Sequence, residues 1–418
     1  MNRVSFLTLL FLLSYIADGS LYAYPYDGYV QTGIRRLERL RLVIAGEIRG
    51  TIPPSGGQKI CDNIQLNLVD INEDESSLFN PDPVLQQKIE QLFPDRHESY
   101  SLALLDITPG RPIRFAAWNQ TQHFSPGSVG KLVVIAGLFS ELQKRYPESF
   151  EKRVDLLKNR MITADQWIQQ DEHEVPIYDP ETQAYAFRRL QIGDTFSLYE
   201  WADHMLSVSA NAAASIVWKE IILMHAFGEA YPPSYEEEQT FFSTTSKLLL
   251  QDMAVTVVNE PLRRAGISEE EWNLGSFFTQ YGKNKIPGKG GSHATPMGFL
   301  KYLIALEKGQ IVDEPSSLEI KKLMYMTARR IRYASSPALA NAAVYFKSGS
   351  LYRCKAEPDF ICKKYMGNVE NVMNSVAIVE HPDGCTYLVA MMSNILRKNS
   401  AVEHQTLATY IDRIVHAP

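Results

Sequence analysis

Strand-like sequence lies at the two ends of this chain and is sparse between them, and that distribution restricts the fold more than any other feature. Residues 100–107 (YSLALLDI) and 113–119 (IRFAAWN) are apolar runs joined by the turn sequence TPGRP (108–112), which together read as a hairpin. Late in the chain, 342–352 (AAVYFKSGSLY) reads as a strand, and 374–394 holds two apolar runs around the turn His381-Pro-Asp-Gly384. Residues 147–300 read mainly as helices and loops, and 404–416 (HQTLATYIDRIVH) as an amphipathic helix. The pattern predicts an α+β fold: one antiparallel sheet assembled from both chain ends, with an all-helical lobe of about 147–300 inserted into the sheet lobe. No internal repeat is visible.

Helix signals sharpen this outline. LVVIAGLFSELQKRY (132–146) has helical period, and SANAAASIVWKEIILMHAF (209–227) is an Ala-rich helix with Ser209 at its start. ATPMGFLKYLIALEKG (294–309) carries Thr295 as cap, Pro296 in the first turn and Gly309 past the end. Upstream of the sheet, residues 24–85 form an N-terminal extension. It contains an Arg-rich helix candidate (34–48), expected to present a solvated face, a turn-rich stretch (50–58) and an acidic loop (72–83). The main domain, sheet lobe with inserted helical lobe, is expected over 86–418.

Arg3 precedes the apolar run SFLTLLFLLSYI (5–16), which is too short to span a bilayer and has the length of a signal-peptide core. Cleavage is expected near Gly19 or Ala23, so 1–23 is read as a signal peptide and the protein as secreted, with the periplasm as the expected destination and an uncleaved anchor as the alternative. No cysteine near that zone offers a site for lipid attachment. A formal net charge of −6 gives no basic footprint for nucleic acid. The four cysteines, Cys61, Cys354, Cys362 and Cys385, are compatible with disulfides in an exported protein. Cys354 with Cys362 is the simplest pair and leaves Cys61 with Cys385; four buried free thiols is the alternative. The cysteine spacing matches no zinc motif, and neither metal nor cofactor is implied.

Three short motifs carry chemistry. In SPGSVGK (125–131), Ser128 and Lys131 are three apart at a helix start, which places them on one face. A serine hydroxyl needs a base to attack, and a lysine of lowered pKa supplies one. Free N–H groups at the helix start can hold an oxyanion. In LSVSANAAAS (206–215), Ser209 can relay a proton to a leaving nitrogen, and Asn211 can bond a substrate amide or the lysine. In FKSGSL (346–351), Lys347 and Ser348 can hold a carboxylate, Gly349 lets a ligand approach the strand edge, and the Ser350 N–H can complete an oxyanion hole with that of Ser128. Each motif alone has a plain structural reading as a cap or a strand.

Their order and spacing are more specific. S-x-x-K, then S-x-N about eighty residues on, then K-[ST]-G on a late strand resembles the serine β-lactamase and penicillin-binding (D-alanyl-D-alanine peptidase) superfamily, class A β-lactamases most nearly, over roughly 95–416. The resemblance implies a β-lactamase/transpeptidase-like fold with the site between its lobes. It also implies Ser128 as acylated nucleophile, Lys131 as proton acceptor, Ser209 and Lys347 as proton shuttles, and Lys347 with Ser348 as carboxylate holders. Arg332, fifteen residues before Lys347, stands near where relatives carry a carboxylate-binding arginine. Two departures matter. The second motif is S-A-N here rather than the usual S-D-N. The E-x-x-L-N element, whose Glu activates the hydrolytic water, has only Glu271-x-x-Leu274 followed by Gly275, with Glu269 and Glu270 beside it; SEEEW (268–272) also reads as a capped helix start. The expected activity is β-lactam hydrolysis through an acyl-enzyme. D-alanyl-D-alanine carboxypeptidase action on peptidoglycan peptides is the alternative, and a non-turnover sensor of β-lactams or muropeptides the third.

Overall fold

The computed structural model describes residues 27–50, 59–71, 75–93, 98–325, 327 and 330–417. The expected signal peptide, 1–23, lies outside the described residues. A five-stranded antiparallel sheet is built from β1 (Tyr100–Asp106), β2 (Arg114–Trp118), β3 (Ala343–Arg353), β4 (Glu370–Glu380) and β5 (Thr386–Asn394), in the order β2-β1-β5-β4-β3. The two chain ends therefore meet at β1 and β5, with Ala103 opposite Ala390.

Both faces of this sheet are covered, so its central strands are nearly continuous apolar runs rather than polar–apolar alternations. Along β5, Leu388, Ala390 and Met392 face one core while Tyr387, Val389 and Met391 face the other. The second core is closed by the terminal helix, Ser400–His416, through Leu407, Ile411 and Val415, and by the 83–90 helix through Leu85 and Ile89. The first core continues into the inserted lobe. There helix α1 (Lys131–Arg145) has every residue from Lys131 to Leu142 buried, as expected for a helix that is apolar all round. Packed against it are α2 (Leu198–Ser207), α3 (Asn211–Phe227) and α4 (Lys247–Arg264). The 296–307 helix begins as its sequence predicts: Thr295 Oγ1 accepts the Gly298 N–H at 3.0 Å, with Pro296 in the first turn.

The inserted lobe also carries strand. Glu174–Tyr178 pairs with Tyr185–Arg189 in a hairpin turned by Asp179, whose carboxylate accepts from Glu181 N–H and Thr182 Oγ1. Its turn residues sit between short alternating segments, a signal weak enough to be lost inside a helical stretch.

The N-terminal extension departs further from expectation. Its helix spans Arg35–Ile44, but the arginines do not form a solvated face. Arg36 makes a two-pronged pair with Asp203 of α2, both bonds 2.6 Å, with side chains 8% and 0% exposed. Arg35 pairs with Glu200, and Arg39 stacks over Tyr185 at 4.0 Å. Farther along, Asn67 bonds Glu307 and Glu380, tying the extension to the sheet lobe. The extension is thus a strap across both lobes.

Of the cysteines, Cys354 and Cys362 form a disulfide. The expected Cys61–Cys385 partnership is not made, and both thiols are free and buried. Cys61 N–H binds Asp27 in the extension, whereas Cys385 belongs to the core on the other side of the sheet, so the sheet separates them.

Candidate active site

A tight 3-10 turn, Gly127–Gly130, leads into α1 and presents Ser128. Two glycines let it pack against β3. Gly127 takes φ +51°, and a Cβ on Gly349 would lie 2.6 Å from Pro126 O and 2.7 Å from Ser128 N, closer than atoms can approach. The edge strand β3 therefore runs in backbone contact with the turn, which brings the Ser350 and Ser128 amides to one place. Asn374, opposite Gly349 on β4, donates to Ser125 O at 2.8 Å and pins the turn from below.

Lys131, first residue of α1, is fully buried. Its Nζ lies 3.0 Å from Ser128 Oγ, 2.7 Å from Asn211 Oδ1, 3.2 Å from Ser209 Oγ and 2.6 Å from Ser209 O. Burial lowers its pKa from 10.5 to about 7, while Asp171 pulls the other way. A lysine poised there can accept a proton from Ser128. Lys347, on β3, reaches Ser209 Oγ at 2.8 Å. Burial, then the positive charges of Lys131 and Arg332, hold Lys347 well below its ordinary value. Ser209 Oγ therefore bridges two amine nitrogens, an unbroken hydrogen-bonded path for a proton.

Ser209 does not cap α3, as its place in the sequence suggests. It sits just ahead of the helix at φ +64°, and that left-handed backbone aims its carbonyl at Lys131. The cap residue is Ala210, which has no side chain to satisfy the helix start. Asp171, from a loop forty residues upstream, fills the role: its Oδ2 accepts the Ala212 N–H at 2.8 Å, and its Oδ1 is held by His173. The support that the Ala210 substitution removes from the S-x-N motif is thus returned by a different segment.

Arg332, at φ +55°, donates to Ser348 Oγ (2.9 Å), Ser350 Oγ (3.0 Å) and Tyr365 OH (3.1 Å). Its guanidinium and the Lys347 amine flank the outer half of β3 and suit a substrate carboxylate. Ser128, Ser209, Asn211, Arg332, Lys347, Ser348, Gly349 and Ser350 all line one cleft of about 680 Å³, which is rimmed by Phe187, Ile331, Leu351, Tyr352 and Tyr365.

Glu271 does not line this cleft. Its carboxylate accepts the Ser268 N–H at 2.9 Å and pairs with Lys301 at 2.6 Å, and Ser268 Oγ accepts the Glu271 N–H in return. That reciprocal arrangement is the capping pattern also legible in SEEEW. The same segment packs apolar groups beside Gly130 and Lys131 instead. Leu274 packs on Gly130, and the Phe278 ring lies 5.0 Å from Lys131 Nζ. Asn259 fixes Leu274 by bonding both its N–H and its carbonyl. Asp171, Asn259, Asn374 and Tyr365 escape sequence reasoning, since each acts from a segment with no motif of its own.

A model of the beta-lactamase enzyme family matches residues 84–415. The chain belongs to that family. Solved structures similar to this family member include a class A beta-lactamase from Bacteroides cellulosilyticus (18% identity, TM-score 0.51, covering 80% of this chain and 98% of that one). A beta-lactamase from Chitinophaga pinensis (15%, 0.51, 79% and 97%) and PBP-A (15%, 0.50, 81% and 96%) are similar to it as well. At these identities the likeness speaks for the beta-lactamase fold, to which the strap of residues 27–50 and 59–71 is added upstream of the matched region. No curated protein matches the chain.

Proposed function

We propose that the protein is a serine acyl hydrolase that opens β-lactams and D-alanyl-D-alanine peptide ends, and that it releases a lactam-derived acyl group slowly, as a penicillin-binding peptidase does. The observation that carries acylation is Lys131 Nζ, depressed to about 7 and 3.0 Å from Ser128 Oγ. In its neutral form Lys131 takes the Ser128 proton as Oγ attacks the amide carbonyl. The Ser128 and Ser350 amides stabilise the tetrahedral oxyanion. The proton passes through Ser209 to the leaving nitrogen, the C–N bond breaks and the acyl-enzyme remains. Lys347, Ser348 and Arg332 hold the substrate carboxylate.

Slow lactam release is supported by the placement of Glu271, outside the cleft and paired with Lys301, with the apolar Leu274 and Phe278 packed beside Gly130 and Lys131. Fast hydrolysis, the β-lactamase reading, is favoured by one observation: Lys131 titrates near neutrality and can itself draw a proton from water. Incubation with a chromogenic cephalosporin and with a D-alanyl-D-alanine peptide separates the readings. A long-lived adduct with D-alanine release supports the proposal. Rapid cephalosporin turnover returns the protein to the β-lactamases, and if Glu271→Gln then abolishes it, the placement of Glu271 is refuted too. A stable adduct with neither turnover nor peptide release identifies a sensor.

The same reading sends the protein out of the cytoplasm. The apolar run 5–16 and the Cys354–Cys362 disulfide support it, since disulfides persist in oxidising compartments. Fractionation of the producing cells tests this: a soluble cytoplasmic protein with residues 1–23 intact contradicts it.

A further inference from the structure

The turn between β4 and β5 meets the end of the 400–416 helix in a cluster that the acyl-transfer chemistry does not use. The turn brings His381 and Asp383, and the helix brings Asp412 and His416, one turn apart on the same face. One ligand atom from each of His381, Asp412 and His416 can be chosen so that all lie within 4.8 Å of one another. His381 follows Ser375, the β4 partner of Ser348, by six residues, which puts the cluster roughly 20 Å along the strand from the cleft.

Hydrogen bonding fixes what these groups offer. His416 Nδ1 is 2.8 Å from the Asp412 carbonyl, which can only accept, so Nδ1 carries a proton and Nε2 is the nitrogen left to take a cation. Nε2 lies 3.5 Å from Asp383 Oδ2. Asp383 Oδ1 is already engaged by the Cys385 N–H at 3.0 Å, which orients the carboxylate. The His416 Nε2–Asp383 Oδ2 gap of 3.5 Å matches the donor spacing around a bound cation. The Asp412 side chain is 8% exposed, and its Oδ1 accepts from His381 Nε2 (2.8 Å) and Tyr387 OH (3.0 Å). Its Oδ2 is 3.6 Å from His416 Nδ1, too far for a hydrogen bond. Backbone and phenol partners behind the ligating groups are the usual outer support of a metal site.

We propose that His381, Asp383, Asp412 and His416 bind a borderline divalent cation of the Zn²⁺ type, which pins the β4–β5 turn to the terminal helix. Two imidazoles and two carboxylates make an N2O2 set that suits zinc better than calcium or magnesium. Binding displaces the proton that His381 Nε2 shares with Asp412; the proton leaves to solvent or moves to Nδ1. Ligand atoms of His381, Asp412 and His416 already lie within 4.8 Å of one another, and closing on a tetrahedral ion of Zn–N about 2.0–2.1 Å requires the surface groups His416 and Asp383 to rotate toward it.

The test is calorimetric titration of chelator-treated, dialysed full-length protein with zinc chloride, alongside thermal melting. The proposal expects one zinc per chain and a raised Tm. It also expects His416→Gln and Asp383→Asn, both at the surface, to weaken binding at least about tenfold, with penicillin labelling of Ser128 unchanged. Absence of saturable uptake overturns it. So does equal uptake by a His381→Gln/His416→Gln double variant, which would mean an adventitious ion only, and so does a Tm that moves with pH but not with zinc, which would leave a proton as the cation. The zinc and Tm outcomes do not depend on the proposed acyl transfer; only the labelling control does.

Discussion

In the proposed mechanism Lys131 sets the rate at which Ser128 is acylated, and pH is the simplest perturbation of it. In water a lysine titrates near 10.5; here burial brings it to about 7. At about 1.36 kcal/mol per pH unit that difference is worth about 5 kcal/mol between the two protonation states. At pH 7 it raises the neutral fraction of Lys131 on the order of a thousandfold over an ordinary lysine. The base works only when neutral, so the second-order rate of Ser128 acylation by a penicillin is expected to rise about tenfold per pH unit below 7 and to level off above it. Stopped-flow quenching of a fluorescent penicillin between pH 5 and 9 measures this directly. Folding should respond with the same sign. A lysine whose folded pKa lies below its unfolded one destabilises the fold at low pH, and that cost is relieved as pH rises from about 7 toward 10.5. A rate still climbing at pH 9 would refute the depressed Lys131. A rate independent of pH from 5 to 9 would remove Lys131 as the base.

Three further outcomes follow from named contacts. Asp171→Ala strands the Ala212 N–H and should cost about 1–3 kcal/mol in chemical denaturation. Loss of its negative charge should also shift the midpoint of the acylation profile to lower pH, a movement that a purely structural defect would not produce. Gly349→Ala inserts a Cβ into the contact between β3 and the Ser128 turn, so acylation should fall about a hundredfold or more, with the circular dichroism spectrum retained. Arg36→Ala leaves Asp203 buried and unpaired by its arginine, and equilibrium unfolding should show a loss of about 3–5 kcal/mol; a change below about 1 kcal/mol would mean that the strap does not hold α2.

What the sequence discloses and what it hides have physical causes. The sheet is legible because its strands are long, apolar and separated by Pro-Gly and Pro-Asp-Gly turns, all local signals. Ser128 and Lys131 are legible because helical spacing alone puts them on one face. Lys347 and Gly349 are legible because a lysine and a glycine inside an apolar strand are anomalous without a ligand. Contacts between distant segments are hidden. Arg36 looks like a solvated helix charge until Asp203, 167 residues on, is brought beside it. Asp171 carries no motif, yet it replaces the support missing from Ser209-Ala210-Asn211. Cys61 and Cys385 look like the remaining pair by counting, but the sheet lies between them. Glu271 has the spacing of a base, and only its bonds to Lys301 and Ser268 show where its charge is committed.

The central claim is that Ser128 becomes covalently acylated, and intact mass spectrometry tests it most directly. Wild-type protein incubated with penicillin G at pH 8 should gain the mass of one penicilloyl group per chain, mapped by proteolysis to the peptide containing Ser128, while Ser128→Ala gains none. An unmodified wild-type chain, or equal modification of Ser128→Ala, would contradict the account.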